Sequence, residues 1–156
     1  MEDILESYLT GLKSLTRYEK ARENVWRVTL PFVAGGSAEL VEVYVMKQDD
    51  GRYKLTDDGN TVNSLGLSEA DIAQKRSALI YHISSISGAC LSRENNEIFV
   101  LSSKENFTRK LNLLVQCIIT TSQLFDTDKN LRDLKSVYTC DLVNELEQRE
   151  GVERNQ

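Results

Sequence analysis

Long apolar runs are missing from the sequence, and their absence argues against a membrane-spanning helix. The most apolar stretch, around Leu113 and Ile118, is interrupted by the polar Gln116. A helix that crosses a bilayer needs about 20 mainly apolar residues. The N-terminal segment is rich in acids, whereas an export signal begins with basic residues and continues with an apolar core. We therefore expect no membrane association and a cytoplasmic location.

Cysteine and histidine are scarce, with three residues of the first kind and one of the second. Cys90, Cys117 and Cys140 are odd in number and widely spaced, so they fit neither a fully paired disulfide framework nor a zinc motif. Cys117 lies among apolar residues and is expected to be buried. His82 has no nucleophile motif beside it, and we interpret it as a partly exposed helical side chain. The sequence predicts no catalytic residue, metal site or cofactor.

The charge balance is mildly acidic. Asp and Glu number 24 against 19 Lys and Arg, which gives a net charge of −5. This is the wrong sign for nucleic acid, so direct binding to nucleic acid is not expected. The apolar and charged fractions, 40% and 28%, are those of an ordinary globular protein. We expect one domain over residues 1–147 and a polar tail over residues 148–156.

Alternating apolar residues predict a meander of three strands in the first half of the chain. Trp26, Val28 and Leu30 share one face of the first strand, and we expect Trp26 to lie in the core. The second strand spans residues 40–46, and an Asp-Gly turn at 50–51 connects it to a third at residues 52–55. Local hairpin pairing makes this part of the sheet antiparallel.

The rest of the chain predicts helices and one further hairpin. Helical spacing of apolar residues, with capping residues at the ends, is found over residues 4–15, 61–65, 68–88, 107–125 and from about 130. A second hairpin is expected over residues 89–101. Because strands and helices are segregated along the chain, the predicted class is α+β: a small antiparallel sheet packed with several helices, two of them long and C-terminal.

One stretch of the chain resembles an uncharacterised family of bacterial and prophage proteins, a domain of unknown function. The resemblance rests on a strand that ends in Leu30-Pro31-Phe32, where that family often has Thr-Pro-Phe, and on the Leu-Thr-Asp-Asp-Gly turn that begins at Leu55. A hairpin precedes this turn and a short helix follows it. The similarity is clearest over residues 25–67.

The resemblance implies a shared fold and brings no established catalytic residue. It also implies a mobile-element setting, in which small acidic proteins bind and block host machinery or regulate prophage genes. We therefore expect a non-catalytic protein-interaction module, with an inhibitor of a host defence or nucleic-acid-processing system as the specific form. The expected partner is another protein.

Acidic residues cluster in sequence around the first hairpin, and we predict that they form a negative protein-binding surface. The six residues are Glu39, Glu42, Asp49, Asp50, Asp57 and Asp58. An alternative is that the aspartates hold Mg²⁺ or Ca²⁺ in a nuclease or other hydrolase. The two aspartate pairs are however expected at opposite ends of one strand, where Asp is also favoured as a turn residue.

Two further hypotheses concern the ends of the chain. A short basic segment from Lys13 to Arg22 leaves open a transcriptional regulator, although such a protein needs a basic recognition helix. The two C-terminal helices predict a homodimer, because Leu113, Ile119 and Val137 would remain exposed after the helices cover each other. An intrachain helical hairpin over the sheet is the alternative.

Overall fold

The computed structural model of the chain describes residues 1–34 and 39–124, with the backbone alone at residues 86 and 87. All its helices and strands lie within Met1–Gln123, which forms one compact unit. The predicted C-terminal helix from residue 130, Val137 and the tail at 148–156 lie outside the described residues. No helix in the described part is long and apolar enough to cross a membrane.

The described elements confirm the α+β class. Four helices are present: α1 Glu2–Leu15, α2 Asn60–Asn63, α3 Glu69–Ser87 and α4 Phe107–Gln123. Six strands are present: β1 Arg17–Arg22, β2 Val25–Ala34, β3 Glu39–Lys47, β4 Tyr53–Thr56, β5 Cys90–Leu91 and β6 Ile98–Ser102. They form one antiparallel sheet in the order β1-β2-β3-β4-β6-β5.

The core lies between one face of the sheet and helices α3 and α4. Alternating residues of β3 are buried, as are Leu55 and Val100, which pair across β4 and β6. On the helices, the buried residues recur at helical spacing: Ile72, Leu79 and Ile83 on α3, and Leu114, Val115, Cys117, Ile118 and Thr121 on α4. Burial of this apolar face holds the helices to the sheet, since each fully buried aliphatic side chain contributes about 1.5–3 kcal/mol.

Local sequence signals explain where α3 begins and ends. Ser68 and Asp71 form a reciprocal capping box, in which the Ser68 side chain accepts from the Asp71 amide and the Asp71 carboxylate accepts from the Ser68 amide. These bonds satisfy amides that the first turn leaves unpaired. Gly88 ends the helix at φ 63°, a conformation that glycine adopts without strain.

Two details of the sheet differ from the prediction. Strand β1 was not expected, because its alternating charges resemble a solvated loop; it forms an exposed edge strand paired with β2. Trp26 shares the core face of Val45, its cross-strand partner, but it is only half-buried. The helices cover the centre of the sheet more fully than the β1 edge, so Trp26 lies on the expected core face but at the margin of the core.

Candidate functional site

Helix α1 presents an apolar stripe to solvent. Its apolar residues are Ile4, Leu5, Tyr8, Leu9, Leu12 and Leu15. Ile4 is 69% exposed and Leu9 is 63% exposed, and the described part of the chain buries no residue of this helix. Large apolar side chains arranged in one stripe are therefore available to a partner.

A helix of this kind gains little stability from its own sequence. It has 14 residues, and helices shorter than about 12–15 residues are marginal in water unless an apolar face is buried. Gly11 lowers its helical propensity further. Met1 occupies the N-cap, where Ser, Thr, Asp or Asn would accept a hydrogen bond from the first turn. A partner that covers the apolar stripe would therefore stabilise α1.

The charges of α1 are unevenly distributed along its length. Glu2, Asp3 and Glu6 occupy its N-terminal half, whereas Lys13 lies in its last turn and Arg17 follows in β1. Acids at the N-terminus and a base at the C-terminus both complement the helix dipole. The helix therefore has a negative end and a positive end beside the same apolar stripe.

The predicted acidic surface is divided by the sheet. Asp49 and Asp50 lie in the turn between β3 and β4, and Asp58 follows the opposite end of β4. Glu39 begins β3 and is exposed, while Glu42 lies within 3.9 Å of the Arg27 guanidinium. The carboxylate of Asp50 accepts from the backbone amide and side chain of Arg52, and these bonds lower its pKa. Several of these charges thus have local partners.

Asp57 does not lie on this surface. Its side chain is 1% exposed. The Oδ1 atom accepts from the amides of Gly59 at 3.0 Å and Ile98 at 2.7 Å, and Oδ2 accepts from the amide of Thr61 at 2.9 Å. Burial raises the pKa of Asp57, and the hydrogen bonds oppose this shift. The carboxylate connects the end of β4, the start of α2 and the start of β6, so it is excluded from the predicted binding set.

A second buried carboxylate, Glu97, lies beside this turn. Its Oε2 accepts from the Thr56 hydroxyl at 2.7 Å and its Oε1 contacts Lys54 Nζ at 2.5 Å. Burial opposes ionisation of Glu97, but the bonds from Lys54 and Thr56 outweigh it and lower its pKa. The Lys54 ammonium also lies 4.7 Å from the centre of the Phe99 ring, a favourable cation–π contact.

The turn at Gly59 touches the loop between β5 and β6. Gly59 has φ +80°, and a Cβ placed on it would lie 2.5 Å from the backbone oxygen of Asn95. Arg76 of α3 holds the same loop by donating to the Ser92 carbonyl at 3.2 Å and to Asn96 Oδ1 at 2.7 Å. The Leu-Thr-Asp-Asp-Gly segment therefore lies in a dense polar junction that fixes the loop.

The cysteines, the histidine and the acids of the hydrolase alternative do not form a cluster in the described part of the chain. Within residues 1–34 and 39–124, no three His, Cys, Asp or Glu side chains are grouped so as to hold a metal ion. Cys117 is buried and Cys90 is exposed, and Cys140 lies outside the described residues. His82 is half-buried on α3. The basic segment lies partly in strand β1, whereas a recognition helix would be needed to read DNA.

Two of the three predicted dimer residues lie in the described part of the chain. Leu113 and Ile119 are on α4 and are half-buried within one chain, whereas their neighbours Leu114 and Ile118 are fully buried. Val137 lies outside the described residues. The homodimer through these residues stays a prediction.

Three features of the site were not recognised in the sequence. Glu97 and Arg76 have partners that are remote along the chain, and their residue types alone do not indicate those partners. The amphipathic spacing of α1 was visible, but nothing in the spacing shows that its apolar side is left uncovered. No local signal in the sequence indicates this exposure.

Breaking the Lys54–Glu97 pair is expected to destabilise the domain. Glu97 is 7% exposed, and in Lys54→Met its carboxylate keeps the bond from Thr56 but loses the one from the ammonium group. We therefore expect a loss of about 1–3 kcal/mol in the free energy of unfolding. Arg52→Met is the matched control: it breaks the exposed pair with Asp50 and should cost less than about 1 kcal/mol. Urea unfolding at pH 7 measures the stability loss of each variant. Equal losses would mean that the buried pair stabilises the domain no more than the exposed one.

Comparison with known proteins identifies the family but not an activity. The family described as "Domain of unknown function DUF1828" matches residues 31–120, more than half of the chain. The chain therefore belongs to this family, and the match includes the Asp57 junction. No curated protein and no solved structure gives a significant match.

Proposed function

We propose that this member of the DUF1828 family is a non-catalytic protein-interaction module that binds another protein through α1. The observation that carries the proposal is the apolar stripe of α1, whose residues are exposed along the helix except for the half-buried Leu12. A short amphipathic helix in a groove or against another helix is a common mode of protein recognition. The stripe residues serve as anchors, and the acids beside them select the orientation.

The charge of α1 favours a protein partner over a membrane surface. Helices that lie on membranes carry Lys and Arg on their polar side, because the lipid surface is anionic. In α1 the polar residues include Glu2, Asp3 and Glu6 against the single base Lys13. Anionic lipid would repel most of this helix, whereas a protein surface can complement it.

The bacterial or prophage setting that the sequence resemblance implies extends this proposal to a class of partner. A host protein of a defence or nucleic-acid-processing system is the partner that such a setting suggests. A hydrolase that uses the hairpin acids is less well supported, since Asp57 is buried with three amide donors and Asp50 lies at the other end of β4.

Photo-crosslinking in bacterial cells tests whether the stripe of α1 binds protein. A benzophenone amino acid replaces Tyr8, which is 60% exposed in the stripe, and in a control chain it replaces Thr10 on the polar side. We expect irradiation to give a discrete protein adduct from position 8 and little from position 10. The adduct should disappear when Leu5→Glu is added to the chain that carries the probe at position 8.

Two results would count against an interaction module that works through α1. The first is the absence of any protein adduct from position 8. The second is an adduct pattern that is the same from both positions and insensitive to Leu5→Glu. Circular dichroism of each purified chain, recorded beforehand, establishes that the substitutions leave the domain folded.

A further inference from the structure

The basic segment over residues 13–22 includes the strand at one edge of the sheet. Strand β1 is the first in the sheet order, and among the described strands it pairs with β2 alone. All six of its residues are exposed. An edge strand presents a row of backbone amides and carbonyls that an extended peptide can pair with. The edge at β1 is therefore a place where the sheet can take a further strand.

The charge of this edge is opposite to that of the rest of the protein. Residues 13–22 contain four bases and one acid, a net charge of +3, whereas the other 15 bases and 23 acids of the chain give −8. The one acid of the segment, Glu19, contacts the guanidinium of Arg27 on β2. Positive charge is thus concentrated at an edge strand of an otherwise acidic protein. Such an edge attracts an acidic partner and repels a basic one.

The two faces of β1 differ in chemistry. Cross-strand partners point to the same face of a sheet. Arg17 and Arg22 pair with residues of β2 that alternate away from Trp26, so both lie on the face opposite the helices. Tyr18 pairs with Val28 on the core face, near its margin, and is 78% exposed. An added strand that fits both faces has acids on the first and apolar residues on the second.

We propose that β1 binds an extended acidic segment of a partner protein, which joins the sheet as a further strand with alternating acidic and apolar residues. This inference goes beyond the proposed function, because it assigns a second surface. Charges on an edge strand protect it from indiscriminate pairing. At β1 the unpaired charges have one sign, so they repel β1 of another copy but attract an acidic strand. Main-chain hydrogen bonds supply the affinity, and the alternating side chains supply the specificity.

Fluorescence anisotropy of a labelled peptide in the presence of the full chain tests this site. The probe is a peptide of alternating Glu and Val with about six residues, the length of an ordinary strand. We expect it to bind, and a peptide of alternating Lys and Val not to bind. N-methylation of every backbone amide keeps the charge of the Glu-Val peptide but removes its donors, and should weaken binding at least about tenfold. The emission of Trp26, the single tryptophan and the cross-strand partner of Lys20, should shift on binding.

Charge reversal of the edge tests its role in selecting the peptide. Arg17→Glu combined with Arg22→Glu should weaken binding of the Glu-Val peptide at least about tenfold and create binding to the Lys-Val peptide. The matched control carries Lys104→Glu and Arg109→Glu, which change the net charge equally at exposed positions before and within α4. This control should bind the Glu-Val peptide like the wild type. Circular dichroism establishes that each variant is folded.

Several results would overturn the inference. They are the absence of binding up to about 1 mM Glu-Val peptide, an equal loss of binding in the control variant, and binding that survives N-methylation of the peptide. The last would mean that charge alone attracts the peptide and that no strand is added. Tighter binding of single-stranded oligothymidylate, lost in the Arg17 and Arg22 variant, would indicate nucleic acid as the ligand instead. The cross-link from position 8 tests the proposed function separately.

Discussion

Replacing Asp57 with alanine is expected to lower the free energy of unfolding by at least about 3 kcal/mol, since each buried donor left unsatisfied costs about 1–3 kcal/mol. The carboxylate accepts from three backbone amides, those of Gly59, Thr61 and Ile98. Alanine removes all three acceptors and supplies none. The loss is also structural, because two distant segments of the chain share this one side chain.

Asp57→Asn provides a graded comparison. Its oxygen can still accept the bonds now made by Oδ1, but its amide group would face the Thr61 donor that Oδ2 accepts at present. We expect a loss of about 1–3 kcal/mol, smaller than that of Asp57→Ala. Asp49→Ala, in an exposed turn, is the control and should change stability by less than about 0.5 kcal/mol. Urea unfolding measures the three losses, and we expect them to decrease in the order Asp57→Ala, Asp57→Asn, Asp49→Ala. A different order would contradict the stabilising role of the Asp57 carboxylate.

The pH dependence of these variants follows from the raised pKa of Asp57. A carboxyl group whose pKa is higher in the folded state favours folding when protonated. Its contribution is complete below the unfolded pKa of about 3.9 and is lost as the pH rises through the folded value. The stability advantage of the wild type over Asp57→Asn should therefore be largest in acid and constant above the folded pKa.

Gly59→Ala should be much more harmful than Gly51→Ala, although both glycines have φ +80°. A Cβ at Gly59 meets the Asn95 carbonyl oxygen at 2.5 Å and the Asn63 amide nitrogen at 3.0 Å, whereas nothing lies within 4 Å of a Cβ at Gly51. The conformational cost is shared and is about 1–2 kcal/mol. The clash is specific to Gly59 and should add about 1–3 kcal/mol, as overpacking does.

The pair of glycine variants isolates the contact between the turn and the loop. Thermal and urea unfolding of both variants give the difference between their losses of stability. The cost of placing alanine at φ +80° is common to both and cancels in this difference. Similar losses for the two variants would mean that the loop at Asn95 yields without cost, and would contradict the close packing of the turn against it.

Much of the fold could be predicted because its signals are local. The Asp-Gly turn between β3 and β4, the Ser68 cap and the Gly88 stop each act within a few residues, and each is found where expected. The membership of an uncharacterised domain family, inferred from the turn at Leu55, is confirmed as well. Apolar residues that recur with a period of two in strands and 3.6 in helices were sufficient to predict most elements of the described chain.

What could not be predicted depends on contacts between remote residues or on which surfaces remain uncovered. Strand β1 forms because β2 offers it a paired edge, although its own sequence is mainly charged. Asp57 was correctly placed in a turn, but its bond to the Ile98 amide spans 41 residues and carries no local signal. Likewise, amphipathic spacing reveals that α1 has an apolar side but not that this side stays exposed.

The position of β4 in the sheet has a consequence for how the chain folds. The pairs β1–β2, β2–β3 and β3–β4 each join strands that are neighbours in sequence, so they can form from local hairpins. Strand β6 joins β4 only after the chain has closed a loop of 41 residues between Asp57 and Ile98. Closing such a loop costs about 3 kcal/mol of chain entropy. The contacts between β4 and β6 offset this cost only once the two strands have met. The buried carboxylate of Asp57 thus lies where β4 meets β6, the strand pair of this sheet with the largest loop-closure cost.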